Sequence, residues 1–258
     1  MSIREIPAAA ITDAVEALCI EANTRLPADV KAALDAAEAA EPWPLAKETL
    51  GLLQQNLCVA KEKDLPICQD TGMACVFIEL GQDAHIDGDL TDAVNEGVRR
   101  GYENAFLRKS ITADPLQRVN TGDNTPAFLT VHLVPGSGCK ITVAPKGAGS
   151  ENMSRLAMLK PADGVEGVKK FVLDTVEQAG ANPCPPIVLG IGIGGSFDKC
   201  AALAKKALLR PLDQPNADPY YAALEKELLD AINATGYEVR GVSSAPYEKK
   251  GFFSFLKK

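Results

Sequence analysis

Over the first quarter of the chain, about 1–66, apolar and polar residues recur at helical spacing in Ala-rich and Glu-rich sequence. Thr12 stands where it would cap a first helix through Leu26, Pro27 to Asp29 opens a second, and Pro44 starts a third that runs to Lys63. From Gly72 the period changes. Met73-Ala74-Cys75-Val76-Phe77-Ile78-Glu79-Leu80 has the apolar, β-branched character of a buried strand. A helix over Asp92 to Leu107 follows. Ala127 to Val134 and Lys140 to Pro145 then flank Pro135-Gly136-Ser137-Gly138, a pattern that predicts a hairpin. Gly164 to Gly180 reads as a helix, Ile187 to Ile193 as a short buried strand, and Phe197 to Leu209 and Pro219 to Ala234 as two more helices. The fold class that follows is α/β (α+β), a helical N-terminal third followed by a mixed sheet with flanking helices. No internal repeat or low-complexity linker divides the chain.

Its 258 residues suffice for a substantial core as one large domain or one domain with an appendage. A formal charge of −7 argues against nucleic acid and against an anionic membrane surface, both of which need clustered Lys and Arg. Small molecules or another protein are the expected partners. Met1 to Pro7 does not read as a signal peptide, and no apolar run is long enough to span a bilayer. Seven cysteines, an odd number and widely spaced, point to a reducing cytoplasm rather than a disulfide framework.

The candidate chemistry lies in polar, Gly-containing segments between the regular elements. Cys68-Gln69-Asp70-Thr71-Gly72 precedes a buried strand, and Cys184-Pro185-Pro186 precedes another, so two thiols stand at the mouths of apolar segments. A soft-metal centre is one reading, an ordinary turn with a buried thiol the other; tandem Gln69 and Asp70 favour the site. Arg108 at a helix end is explained equally by the helix's terminal carbonyls. Asn120-Thr121-Gly122-Asp123-Asn124-Thr125-Pro126 is rich in turn formers, and turn chemistry accounts for it about as well as binding does. Lys146-Gly147-Ala148-Gly149-Ser150-Glu151-Asn152 forms a nest of backbone N–H groups suited to an anion. Gly190-Ile191-Gly192-Ile193-Gly194-Gly195 matches a dinucleotide fingerprint, but no second strand ending in an acid follows. Its glycines are expected instead to bring a helix close to the sheet or to aim its dipole at an anion. His85 and His132 do not read as ligands, and Cys19, Cys58, Cys75 and Cys139 read as buried thiols.

The four motifs containing Cys68, Asn120, Lys146 and Cys184 occur in the order found in class I iron-sulfur hydro-lyases. The chain closely resembles the alpha subunits of two-subunit fumarate hydratase, and less closely those of L-tartrate dehydratase, over Ile6 to Gly236. The resemblance implies a 4Fe-4S cluster held by three cysteines, two of which correspond to Cys68 and Cys184, with the open iron acting as Lewis acid in the interconversion of (S)-malate and fumarate. It places Gln69, Asp70, Arg108 and Gly149 at a small dicarboxylate, with Asp70 as the catalytic group that binds the hydroxyl or shuttles a proton. It further implies a separate beta subunit, hence a hetero-oligomer, with the base and further cationic anchors coming from that partner.

The catalytic domain of such a chain would cover 1–236, leaving 237–258 as a divergent tail. Family members carry a substrate-binding His and a third cluster cysteine beyond this point, whereas here no Cys or His follows Cys200. The third ligand is open between Cys200, Cys75 and a residue of the partner, and a truncated or altered reading frame is the leading expectation for the tail. Two further readings stand beside the fumarate one: an L-tartrate dehydratase alpha subunit, and a non-catalytic partner that binds a beta subunit without turnover.

Overall fold

Pro7, with φ −61 and ψ 135, turns the short strand β1 (Arg4–Pro7) directly into helix α1 (Ala8–Thr24). The computed structural model describes residues 3–235 and 239–246. Thr12 is therefore not a cap. It lies one turn inside α1, where its hydroxyl, within reach of the Ala8 carbonyl, donates at 3.0 Å to the carbonyl of Ala93 on a neighbouring helix. The second and third predicted helices are present as α2 (Ala28–Ala40) and α3 (Pro44–Lys63).

The chain divides into two compact units, 1–27 with 41–148 and 28–40 with 149–258. In the first, α1 packs against α4 (Leu90–Asn104), whose N-terminus is capped by the Asp89 carboxylate accepting from Asp92 N–H at 2.9 Å. Ile11, Val15 and Cys19 recur every four residues on α1 and are buried with Val94, Val98 and Tyr102 of α4. The sheet beneath them has strand β2 (Met73–Gly81) at its centre. Ala74, Val76 and Ile78 line this core, while Cys75 and Phe77, on the opposite face of the strand, are buried as well, which explains its unbroken apolar run.

The predicted hairpin does not form. Strands β4 (Phe128–Val134) and β5 (Cys139–Lys146) lie on opposite sides of β2, in the order β4-β2-β5, with β4 parallel and β5 antiparallel to it. The Pro135–Gly138 turn passes over the end of β2 instead of closing a two-strand ladder. Gly81 N–H donates to Gly138 C=O, Gln82 N–H to Val134 C=O and Asp83 N–H to Gly136 C=O, so the turn's acceptors are taken by the chain that leaves β2. A two-stranded parallel ladder, β1 with β3 (Ala84–Asp87), completes this unit and had no counterpart in the sequence pattern.

In the second unit the one-turn helix α5 (Ala148–Glu151) leads through a 3₁₀ turn, Pro161–Asp163, to α6 (Gly164–Ala179). Strand β6 (Ile187–Ile193), helix α7 (Phe197–Ala207) and helix α8 (Pro219–Ala234) follow closely the expected bounds. Val172 and Val176 of α6 and Leu224, Leu228 and Ile232 of α8 form its core with the half-buried Ile187, Leu189 and Ile191. Of the segment expected as a divergent tail, Val239–Pro246 forms strand β7, parallel to β6; the rest of 237–258 lies outside the described residues. Helix, mixed sheet and flanking helices together give the α/β class that the pattern indicated. Among the described residues no helix is long and apolar enough to cross a membrane.

Candidate functional site

Helix α3 ends at Asp64 in the left-handed region (φ 48), with Leu65 N–H returning to Ala60 C=O. Ile67 is then held at both backbone groups: its N–H donates to Asn23 C=O and its C=O accepts from Asn56 Nδ2, each at 2.8 Å. This fixes the residue before Cys68, which is exposed. The Cys68 sulfur accepts from Asp70 N–H and lies 3.4 Å from Gln69 Oε1, so Cys68, Gln69 and Asp70 form one small cluster of polar groups.

Asp70 turns its carboxylate toward the Lys146–Asn152 segment, where Oδ2 accepts from Ala148 N–H at 3.0 Å. The segment expected as an anion nest thus gives one of its N–H groups to a side chain of the same unit, one that the family resemblance places at the substrate. Gly72 explains how the two segments come so near. Its φ is +68, and a Cβ there would stand 2.5 Å from the carbonyl carbon and oxygen of Lys146.

Arg108 follows a Schellman ending of α4, in which Phe106 (φ 54) takes the left-handed position and Leu107 N–H returns to Tyr102 C=O. The Arg108 carbonyl accepts from the Thr71 hydroxyl at 3.1 Å, which places Arg108 beside the Cys68 loop. Its side chain is exposed and makes no ion pair with any described residue. Lys109 is exposed beside it. Turn chemistry accounts for most of Asn120–Pro126. Asn120 Oδ1 accepts from Gly122 N–H, and Asp123 Oδ1 accepts from Thr125 N–H and Oγ1. Burial pushes the Asp123 carboxyl up, but hydrogen bonds from Thr125, from the Thr121 hydroxyl and from its own backbone N–H together outweigh it and hold the group below its usual range. Asn124 is different, because it is fully buried and bonds outside its own turn, to Gly72, Ser110 and Ile111. Tyr102, also fully buried, brings its hydroxyl to Thr71 C=O at 2.9 Å and Gly72 C=O at 3.1 Å. Neither had been singled out in the sequence. Tyr102 sits on the apolar face of α4 at the four-residue spacing of Val94 and Val98, and Asn124 hides among turn formers.

In the second unit Gly149 lies against the loop that carries Cys184, since a Cβ on it would come 3.3 Å from Asn182 C=O. Cys184 is exposed and takes φ 58, a conformation uncommon for a residue with a side chain, between a turn closed by Cys184 N–H to Ala181 C=O and the Pro185-Pro186 pair. Cys200 is half-buried in the first turn of α7, donating to Phe197 C=O. Cys75 is enclosed in β2 at 4% exposure. None of the seven cysteines is in a disulfide. Exposed sulfurs on irregular loops suit Cys68 and Cys184 to soft-metal ligation, and Cys19, pushed up to about 12 by burial, is unsuited to it. Among the described residues no three His, Cys, Asp or Glu side chains converge as a ligand set.

The glycines within β6 serve packing. A Cβ on Gly192 would lie 1.9 Å from Cys200 C=O and one on Gly190 2.2 Å from Ala204 C=O, so α7 rests directly on the strand where the fingerprint would otherwise suggest a nucleotide. His85 is exposed on β3 and His132 half-buried on β4, apart from these groups.

A family profile described as fumarate hydratase (Fumerase) matches residues 12–245. The chain is 43% identical over 240 residues to a Methanocaldococcus jannaschii protein provisionally named L(+)-tartrate dehydratase subunit alpha, covering 90% of this chain and 84% of that one. It is 31% identical over 237 residues to the L(+)-tartrate dehydratase subunit alpha of Escherichia coli UTI89, and 30% identical over the same length to that of strain K12, with 90% of this chain and 78% of each relative covered.

Proposed function

We propose that this chain, which belongs to the fumarate hydratase (Fumerase) family, is the alpha-type half of a two-subunit hydro-lyase that removes water from a small 2-hydroxydicarboxylate. The observation that carries the reading is the meeting, around Gly72, of the backbone segments that carry an exposed thiol, a carboxylate and an exposed cation: those of Cys68, Asp70 and Arg108. The substrate expectation moves from (S)-malate and fumarate toward L(+)-tartrate, because the relatives bear that name over most of their length. The family's own description keeps fumarate as the second reading. A partner beta subunit follows from the same names, and seven cysteines outside any disulfide suit a cytoplasmic setting.

In this reading Cys68 and Cys184 would each give a thiolate to a 4Fe-4S cluster, which would supply Lewis acidity toward the substrate hydroxyl. The third donor comes from Cys200, from the less accessible Cys75, or from the partner. Arg108 pairs with one substrate carboxylate through its planar fork of N–H donors. Gln69 orients an oxygen with its amide and Gly149 offers a backbone N–H. Asp70, anchored through Oδ2 on Ala148 N–H, holds or moves a proton at the substrate hydroxyl. The exposure of Cys68, Arg108 and Cys184 leaves water exclusion to the second subunit.

The test is anaerobic reconstitution with iron and sulfide alongside the cognate beta chain, followed by assays with L-tartrate, (S)-malate and fumarate. Turnover of tartrate above malate is expected; malate turnover alone would return the substrate to the second reading. Cys68→Ser and Cys184→Ser should each lose most of the bound iron. Full iron content in both would remove them as ligands. A stable complex that turns over none of the acids would mark a non-catalytic partner.

A further inference from the structure

Two stretches meet at the candidate site, Thr71–Gly72 at the end of the Cys68 loop and Arg108–Ile111 beyond α4. Among the described residues no backbone-to-backbone hydrogen bond joins them. Side chains do so instead. The Thr71 hydroxyl reaches Arg108 C=O, Tyr102 holds the carbonyls of Thr71 and Gly72, and Asn124, coming from a third stretch, bonds both partners at once. Asn124 Oδ1 accepts from Ser110 N–H at 2.6 Å and Ile111 N–H at 3.2 Å, while Nδ2 donates to Gly72 C=O at 3.2 Å. The residue is fully buried and holds φ 64.

We propose that Asn124 is a positioning residue that sets Arg108 against the Cys68–Asp70 loop, and thereby fixes the spacing between the substrate-carboxylate anchor and the loop that bears the thiol. The inference rests on reading the chain as a dicarboxylate hydro-lyase. Three requirements single out asparagine. Its oxygen satisfies two N–H groups that would otherwise be buried unpaired, and its nitrogen satisfies a carbonyl. An ionised aspartate would present an oxygen to Gly72 C=O and lose that bond. The left-handed backbone is one that Asn tolerates and an aliphatic residue does not. Arg108 itself is exposed, so its place is set through the backbone: the Thr71 hydroxyl holds its carbonyl, Asn120 Nδ2 holds the Lys109 carbonyl, and Asn124 ties the next two amides, Ser110 and Ile111, to Gly72.

The experiment uses the assembled, iron-loaded enzyme and reads three quantities: exchange of the Ser110 and Ile111 amides, iron content, and the dissociation constants of L-tartrate and (S)-malate by calorimetry. Asn124→Gly keeps the backbone conformation and removes the amide. It should speed exchange at those two amides, leave iron content unchanged and weaken dicarboxylate binding about tenfold or more. Arg108→Gln should weaken binding at least as much, and the double variant no more than about threefold beyond Arg108→Gln alone, because both changes remove one anchor. If the glycine variant does not fold, Asn124→Asp, which keeps an acceptor for the two amides and loses only the bond to Gly72 C=O, should weaken dicarboxylate binding with exchange at those amides unchanged, and wild-type affinity in it would equally overturn the role. Wild-type affinity in a variant with faster exchange, or losses that multiply in the double variant, would overturn the positioning role. Wild-type enzyme that binds neither acid would refute the dicarboxylate reading itself, before any variant is compared.

Discussion

Gly72 meets two demands that no other residue meets together, a left-handed backbone and room for the Lys146 carbonyl at 2.5 Å from where a Cβ would stand. Gly136 shares the first demand, with φ 87, but faces open space. Gly72→Ala should therefore destabilise the protein by about 2–4 kcal/mol and Gly136→Ala by about 1–2 kcal/mol, read by urea unfolding. Equal costs at the two positions would refute the close pass as the cause. At this scale the sequence offered candidates but not what fixes them. Cys68 and Asp70 stand out by side-chain type, and Arg108 only through the family resemblance. Asn124 and Tyr102 act through backbone carbonyls and amides supplied by distant residues, and a single sequence does not reveal such partners.

Long elements with one dominant period were legible nearly to their ends, as β6 and α8 show, because burial on a single face or run leaves a pattern. The sheet order was not. Pro135-Gly136-Ser137-Gly138 carries local turn chemistry that suits a hairpin, yet β2, about fifty residues upstream of the turn, lies between the two strands it joins. Pairing across such separations depends on which strand buries both faces, and only the assembled core decides that. The arrangement can be tested by cross-linking. Cysteines placed at Glu79 and Lys140, partners in the antiparallel register, should oxidise to a disulfide, whereas a pair at Leu133 and Lys140, partners in a simple hairpin, should not. Peptide mapping distinguishes the two, and a 133–140 link would overturn the strand order. The glycines of β6, by contrast, were expected to bring a helix close to the sheet and do so, since a helix pressed onto a strand needs small residues just as a pyrophosphate does.

For the molecule as a whole, buried ionisable groups make stability depend on alkaline pH. Cys19 has no exposed surface, and burial raises its thiol from an ordinary 9.0 to about 12; burial likewise raises the Tyr102 hydroxyl. Groups raised in this way stabilise the fold fully below their unfolded values. Ionisation of the unfolded chain then removes that contribution as pH climbs from 9 toward about 12, by up to about 1.4 kcal/mol per pH unit for each group. Denaturant midpoints should fall over this range. Cys19→Ala should flatten the fall and Cys58→Ala, at an exposed thiol, should leave it unchanged.

The chain also visits its second unit twice, first for α2 alone and again after residue 148. A ribosome releases these parts at different times. α2 emerges first, and the Leu212 amide, whose N–H meets the Asp29 carboxylate, arrives 183 residues later, a delay of roughly 10–40 s at ordinary elongation rates. A helix of 13 residues is marginal on its own. During synthesis this segment must wait without its partners, so pauses in translation before residue 212 should bear on the yield of folded protein.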